Sequence, residues 1–208
     1  MPSKPSGAAA PGQVRIIGGD LRRSIIPVVA MEGLRPTPDR VRETLFNWLG
    51  QTLPPIAVLD AFAGTGALGL EALSRGAVHV AFCETQPVVR RQLEQTVSLL
   101  AGRLNRPDVK TSVSGQDVCA HLRSALQAGF RYDLALLDPP FRSDWLEKAL
   151  PLVLAAMNPG GRVYVEWHAR LDDHPMVSGM LQQAGWGIER EQKAGQVFYH
   201  LLYMHSSV

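Results

Sequence analysis

From Pro54 onward the chain alternates short apolar runs with longer stretches in which apolar residues recur every three or four positions. The runs at residues 57–61, 78–84, 109–113, 134–138 and 161–167 have the length and composition of buried strands. The stretches at 67–75, 87–104, 118–128 and 145–157 carry the spacing of helices that lay one face on a sheet. This alternation predicts a parallel, doubly wound sheet with helices on both sides. The last part of the chain departs from it. A helix near 176–184 precedes two strand-like runs, 187–192 and 196–204, joined by Lys193-Ala-Gly195. So short a join makes a hairpin, and one late strand must run antiparallel. The expected fold class is therefore α/β, a doubly wound Rossmann-like sheet of seven strands with one antiparallel strand near its C-terminal end.

Three segments precede this pattern. Residues 1–13 are mostly Pro, Ser, Gly and Ala, which cannot bury a core, and are expected to form a flexible tail. Val14 to Val29 reads as two short strands around Gly18-Gly19-Asp20, a small β-hairpin carrying Arg15, Arg22 and Arg23. Arginines on such a ribbon suit nucleic-acid phosphates, and they equally protect an exposed strand edge from aggregation. Residues 35–49 then show helix-start chemistry, with Thr37 as N-cap, Pro38 at the first helical position and Asp39 in the first turn. Val41, Leu45, Trp48 and Leu49 should face the core, leaving Arg40, Arg42 and Glu43 on a solvated face with ion pairs along the helix. The organisation is a tail (1–13), a hairpin-and-helix extension (14–53) and an α/β domain (54–208).

Composition narrows the picture only modestly. At 208 residues, 46% of them apolar, the chain is long enough for one full core. A net charge of +2 names no partner, because a small total can hide a basic face. Cys83 and Cys119 stand far apart, and the six histidines lack metal-site spacing, so neither zinc nor a disulfide framework is indicated. No apolar run approaches the ~18 residues of a membrane span, and the N-terminus lacks an apolar leader, which points to a soluble cytoplasmic protein.

The chemistry concentrates at strand ends. Val58-Leu-Asp-Ala-Phe-Ala-Gly-Thr-Gly-Ala-Leu-Gly69 is a strand, an acid and a glycine-rich turn opening a helix. Gly64 and Gly66 allow the backbone to approach a ligand closely, the helix offers free amides, and Asp60 adds a carboxylate. Nucleotides bind at such turns, although glycine-rich turns also occur in sheets that bind nothing. Glu84 ends the next strand 18 positions after Gly66, near the spacing at which an acid meets ribose hydroxyls. Asp117 either accepts from an adenine amine or caps the helix that begins beside it. Asp138-Pro-Pro-Phe141 closes a buried strand with two residues that lack amide donors, so the Asp138 carboxylate and nearby carbonyls form a ring of acceptors suited to an amino group. Phe141 can stack on the base that bears it.

Asp60-x-Phe62-x-Gly64-x-Gly66, Glu84 and Asp138-Pro-Pro-Phe141 together resemble a class I S-adenosylmethionine-dependent methyltransferase acting on amino nitrogens. The resemblance is closest to the bacterial 16S ribosomal RNA guanine-N2 methyltransferase family. It extends through Arg15-Ile-Ile-Gly-Gly19, Leu34-Arg-Pro-Thr-x-Asp-Arg-Val-Arg-Glu-Thr-Leu-Phe-Asn47 and Lys193-Ala-Gly-Gln-Val197. It implies that S-adenosylmethionine lies over the glycine turn, with its ribose on Glu84, its adenine near Asp117 and its methionine end near Asp60, Phe62, Gly64, Thr37 and Arg40. Asp138, Pro139 and Phe141 would seat the guanine, and Arg15, Arg22 and Arg23 would hold 16S rRNA in a small subunit or assembly intermediate, the enzyme acting as a monomer. Gln86 stands where relatives lead one to expect an acid, so no second carboxylate assists Glu84. Three other readings compete: an adenine-N6 or cytosine-N4 DNA methyltransferase, for whose target-recognition domain the chain has no room; a nicotinamide oxidoreductase, which gives Asp138-Pro-Pro-Phe141 no task; and a non-catalytic RNA-binding scaffold, against which the intact Asp138 argues.

Overall fold

The computed structural model describes residues 12–29, 38–140 and 143–204. Thr37 and Phe141 lie outside these residues, as does the expected tail apart from Gly12 and Gln13. The hairpin comes first, β1 (Gln13–Arg15) pairing antiparallel with β2 (Ile25–Pro27), followed by α1 (Asp39–Leu49). The helix starts directly after Pro38, with no side chain capping it among the described residues.

The strands that follow are β3 (Ala57–Asp60), β4 (His79–Cys83), β5 (Lys110–Ser114), β6 (Tyr132–Leu137), β7 (Met157–Trp167), β8 (Trp186–Ala194) and β9 (Val197–Met204). Between them run α2 (Ala67–Ser74), α3 (Pro87–Ala101), α4 (Val118–Gln127), α5 (Trp145–Ala155) and α6 (Pro175–Gln183). They build a seven-stranded sheet in the order β5-β4-β3-β6-β7-β9-β8. β9 is antiparallel to both neighbours, as the C-terminal pattern predicts. The chain winds outward from β3 to β5, then returns to place β6 on the other side of β3. That reversal opens a crevice at the carboxyl ends of β3 and β6, where doubly wound sheets bind ligands. Among the described residues, no helix is long and apolar enough to cross a membrane.

Alternation along the strands divides the core. Val58, Val80, Phe82, Leu134, Leu136 and Tyr164 face the side covered by the hairpin, α1, α2 and α3. Leu59, Ala81, Ala135, Leu137, Val163 and Val165 face α4, α5 and α6. Ile16, Ile26, Leu45 and Phe46 are wholly buried in the first cluster, so the extension shares a core with the sheet.

Arg42 overturns the expected solvated face of α1. It is fully buried and donates through Nη1 to Glu71 at 3.2 Å. Its Nη2 donates to Asp39 at 2.5 Å and to the Arg15 carbonyl at 2.9 Å. Glu71, equally buried on α2, also accepts from the Ile17 and Gly18 amides, both at 2.8 Å, and from Arg75 Nε at 2.8 Å. The Arg75 guanidinium lies over the Phe46 ring and reaches Gln51. Hydropathy patterns send charges to solvent, but a charge whose hydrogen-bonding groups are met by partners can stay inside. Ser74 extends the seam by accepting from the Leu21 amide at 2.9 Å and donating to the Gly18 carbonyl at 2.5 Å. The hairpin is thus fastened to the C-terminal half of α2, at Glu71 and Ser74.

Removing the central carboxylate strands two arginines. Glu71→Ala should lower unfolding free energy by about 3 kcal/mol or more, the cost of breaking a buried pair by deleting one partner. Urea denaturation measures this, and a loss below about 1 kcal/mol would show that the network is incidental.

Candidate active site

β3 ends in Asp60, and the turn that follows is stitched to both neighbouring strands. The Ala61 amide donates to the Leu136 carbonyl of β6, and the Ala63 amide to the Cys83 carbonyl of β4, each at 2.9 Å. Gly66 precedes α2 in the left-handed region at φ +79°, and a Cβ there would come within 2.4 Å of Leu93. A Cβ on Gly69 would lie 2.4 Å from the Phe82 ring and 2.9 Å from Asp60 Oδ2. This third glycine of the motif therefore serves close packing of α2 on β4, with no ligand needed to explain it.

Asp60 is 2% exposed, and its Oδ2 accepts the Gly69 amide at 2.9 Å. It supports the turn from beneath. Burial raises its pKa to about 7, the Gly69 bond opposes the rise, and the negative charges of Asp138 and Glu84 add to it. Both carboxylates are therefore close. The register explains why: Asp60 pairs with Phe82 on β4 and with Leu136 on β6. Glu84 and Asp138 lie two residues further along their strands, on the same face and nearer the rim.

Glu84 is held in two ways. Its Oε2 accepts the Gly64 amide at 3.0 Å and its Oε1 the Gln86 amide at 2.7 Å. Gln86 thus orients Glu84 through its main chain, which any residue type at that position except proline supplies, while its side chain is exposed. Asp117 caps α4, accepting the Ala120 amide at 2.9 Å, so the helix-cap reading holds for this residue. Phe62 turns to the opposite face and meets Trp145, at the start of α5, edge-on with centroids 6.2 Å apart.

Asp138 follows β6 half-buried, with Pro139 buried and Pro140 exposed. The Pro140 carbonyl is taken by Ser143, whose Oγ donates at 2.6 Å and whose amide donates at 3.2 Å. That carbonyl shapes the loop, so the acceptors to be considered for an amine are Asp138 and the Pro139 carbonyl. Arg40 is exposed at the start of α1. Arg15 is half-buried, whereas Arg22 and Arg23 are exposed on the hairpin turn that docks beside Ser74. They stand at the far end of α2 from Gly66, a helix of 8 residues spanning about 12 Å. The structure therefore brings Asp60, Gly64, Gly66, Glu84 and Asp138 together and holds Arg22 and Arg23 apart from them.

Residues 14–203 match the family model described as Conserved hypothetical protein 95. The ribosomal RNA small subunit methyltransferase D of Escherichia coli K12 is 39% identical over 192 residues, covering 91% of this chain and 89% of that protein. The chain belongs to this family. The Haemophilus influenzae protein of the same name is 37% identical over 194 residues, with 92% and 94% coverage. A solved structure from Escherichia coli, the putative methyltransferase yhhF, is similar with a TM-score of 0.76 at 37% identity, covering 94% of this chain and all of that one. The family match begins within β1, so the hairpin and its buried seam belong to the shared unit.

Pattern reading missed two groups beside the rim, Tyr164 and Glu166 on β7. Both sit in an apolar strand run, and only the strand pairing reveals their neighbour. Both cysteines are buried and free, and burial pushes the Cys83 thiol up to about 12, which makes it an inert core group.

Asp60 gives a pH test. Its folded pKa lies above the ordinary 3.8, so the stability it contributes is fully present below that value and is lost as pH rises to about 7. Asp60→Asn lacks this titration. The stability of the variant relative to the native protein should therefore rise between pH 4 and pH 7 by a few kcal/mol, at up to about 1.4 kcal/mol for each step of one pH unit. Denaturation across that range measures the difference, and a flat one would show that Asp60 ionises normally.

Proposed function

We propose that the protein transfers a methyl group from S-adenosylmethionine to the exocyclic N2 amine of a guanine in 16S ribosomal RNA, within a small subunit or an assembly intermediate. The observation that carries this reading is the placement of Asp138 and Pro139 at the rim of β6, next to the glycine turn of β3 and on the same side as Glu84. The residues at the turn fit the cofactor. Glu84 is fixed by two amides with its carboxylate at the end of β4, where ribose hydroxyls donate. The closely spaced carboxylates Asp60, Asp138 and Glu84 suit a cationic ligand. When bound, S-adenosylmethionine supplies an electrophilic methyl group on a sulfonium.

In this reading Asp117 lies near the adenine, and Asp60 and Gly64 support the methionine end, with Thr37 and Arg40 of the helix start over it, whereas Phe62 packs behind the turn on Trp145. Asp138 and the Pro139 carbonyl accept both N2 hydrogens and hold the nitrogen lone pair toward the methyl group, while Phe141 packs on the base. Direct in-line transfer then depends mainly on positioning and exclusion of water. Asp138 is also placed to accept the proton that the amine loses after the new N–C bond forms. A base drawn out of a paired stem costs a few kcal/mol, so an unpaired or partly assembled site is favoured. Arg15, Arg22 and Arg23 hold RNA phosphates along the hairpin, and the enzyme works as a monomer.

Incubation with methyl-labelled cofactor and small subunits, naked 16S rRNA or duplex DNA, followed by nucleoside identification, tests the reaction. Label is expected as N2-methylguanosine in the RNA, and label in adenine or cytosine of DNA would overturn the reading. For the hairpin, Arg22→Ala with Arg23→Ala should weaken RNA binding and reduce its salt slope by about 2. An unchanged slope would remove these residues from the interface.

A further inference from the structure

β6 and β7 run parallel with Leu136 beside Tyr164 and Leu137 beside Val165. The next step of this register sets Glu166 beside Asp138. Side chains alternate, so Tyr164 and Glu166 share the sheet face of Leu136, the face toward α1 and α2. Glu166 is 7% exposed, and the Tyr164 hydroxyl donates to its Oε1 at 3.0 Å. Tyr164 is wholly buried, and burial together with the charges of Glu166 and Asp138 raises its pKa, which keeps the hydroxyl protonated as a donor. On the far side of β7, Glu166 pairs in register with Tyr199, which packs against Trp48 of α1. Glu166 is thus a carboxylate with a fixed orientation, one strand over from the proposed amine seat.

We infer that Glu166 selects the base by accepting the N1 hydrogen of guanine while Asp138 and Pro139 hold the N2 amine. The inference rests on the function proposed above and deepens it. An amine at N2 of guanine has a second donor, N1–H, directly beside it. The amines of adenine and cytosine instead have an acceptor nitrogen beside them, N1 and N3 respectively. A carboxylate facing this neighbouring position attracts guanine and repels the other two, because acceptor would meet acceptor. A carboxylate has room for about four donors on its two oxygens, so a bond from Tyr164 and a bond from the base are compatible. Sites built to hydrogen-bond one such group reject analogues that lack it by large factors, since their own buried group is left unmet. Asp138 alone would not discriminate among amino bases; the pair Asp138 and Glu166 does. Tyr164 acts as a positioning residue that keeps Glu166 in the reading orientation.

The test uses the full chain and RNA bearing either guanine or 2,6-diaminopurine at the methylated position, located from nuclease fragments of the labelled RNA. Diaminopurine keeps the N2 amine and replaces N1–H with an acceptor. The native enzyme should methylate guanine and reject diaminopurine. In Glu166→Gln, the Tyr164 hydroxyl holds the amide oxygen and turns the NH2 toward the base. The ratio of kcat/KM for diaminopurine over guanine should then rise by about 100-fold or more, with cofactor affinity unchanged. A native enzyme that labels no guanine in either RNA would sink the underlying function. A native enzyme active on guanine, with a Gln variant whose ratio stays the same, would sink the role of Glu166 alone. If the Gln variant does not fold, Tyr164→Phe keeps the ring and Glu166 but removes the hydroxyl that donates to its Oε1. Discrimination should fall in that variant, and undiminished discrimination would equally overturn the inference.

Discussion

A single hydrogen bond, from the Gly69 amide to the buried Asp60 carboxylate, joins the end of β3 to the first turn of α2. The geometry of the rim follows from it. A helix N-terminus carries unsatisfied amides, and a carboxylate placed there satisfies one and complements the helix dipole. Because position 69 is glycine, α2 can settle onto Phe82 and come within reach of Asp60. The glycine turn above then has little freedom, tied by amides to β4 on one side and β6 on the other. Glu84 and Asp138 project from those same strands. Asp60 is thus a foundation for the glycine turn.

A second anchor lies further along α2, at Glu71. This carboxylate gathers Arg42, Arg75 and two amides of the hairpin, so the extension is held by polar groups buried in an otherwise apolar cluster. Two acids on one strand-turn-helix unit divide the work. Asp60 sets the turn against the sheet, and Glu71 sets the hairpin and α1 against the helix. The hairpin turn is therefore mechanically continuous with the glycine turn, through a helix that is buried along its whole length.

The architecture was legible because strand and helix periods differ, and the C-terminal hairpin because its two runs lie so close together. Glu84 and Asp138 were legible as acids at the ends of apolar runs. Arg42 and Glu71 were not, since a charged residue reads as solvent-facing until a partner 29 positions away closes the pair. Gly69 closes the glycine-rich stretch, and only the structure shows that it packs on Phe82. Asp117 had two equal readings, and the hydrogen bond to Ala120 shows that it caps α4. Glu166 was hidden inside an apolar strand, where only the pairing of β6 with β7 gives it significance. Local pattern reports what one element does, and these residues act across elements.

The proposed reaction divides holding the donor, at the end of β4, from holding the amine, at the end of β6. Calorimetric titration of S-adenosylmethionine into Glu84→Ala and Asp138→Ala, paired with single-turnover methylation of small-subunit RNA, tests it most directly. Glu84→Ala should weaken cofactor binding by about 10-fold or more, the worth of hydrogen bonds to a charged group. Asp138→Ala should bind cofactor as the native protein does and lose about 100-fold or more in the transfer step. Near-native transfer by Asp138→Ala would contradict the claim.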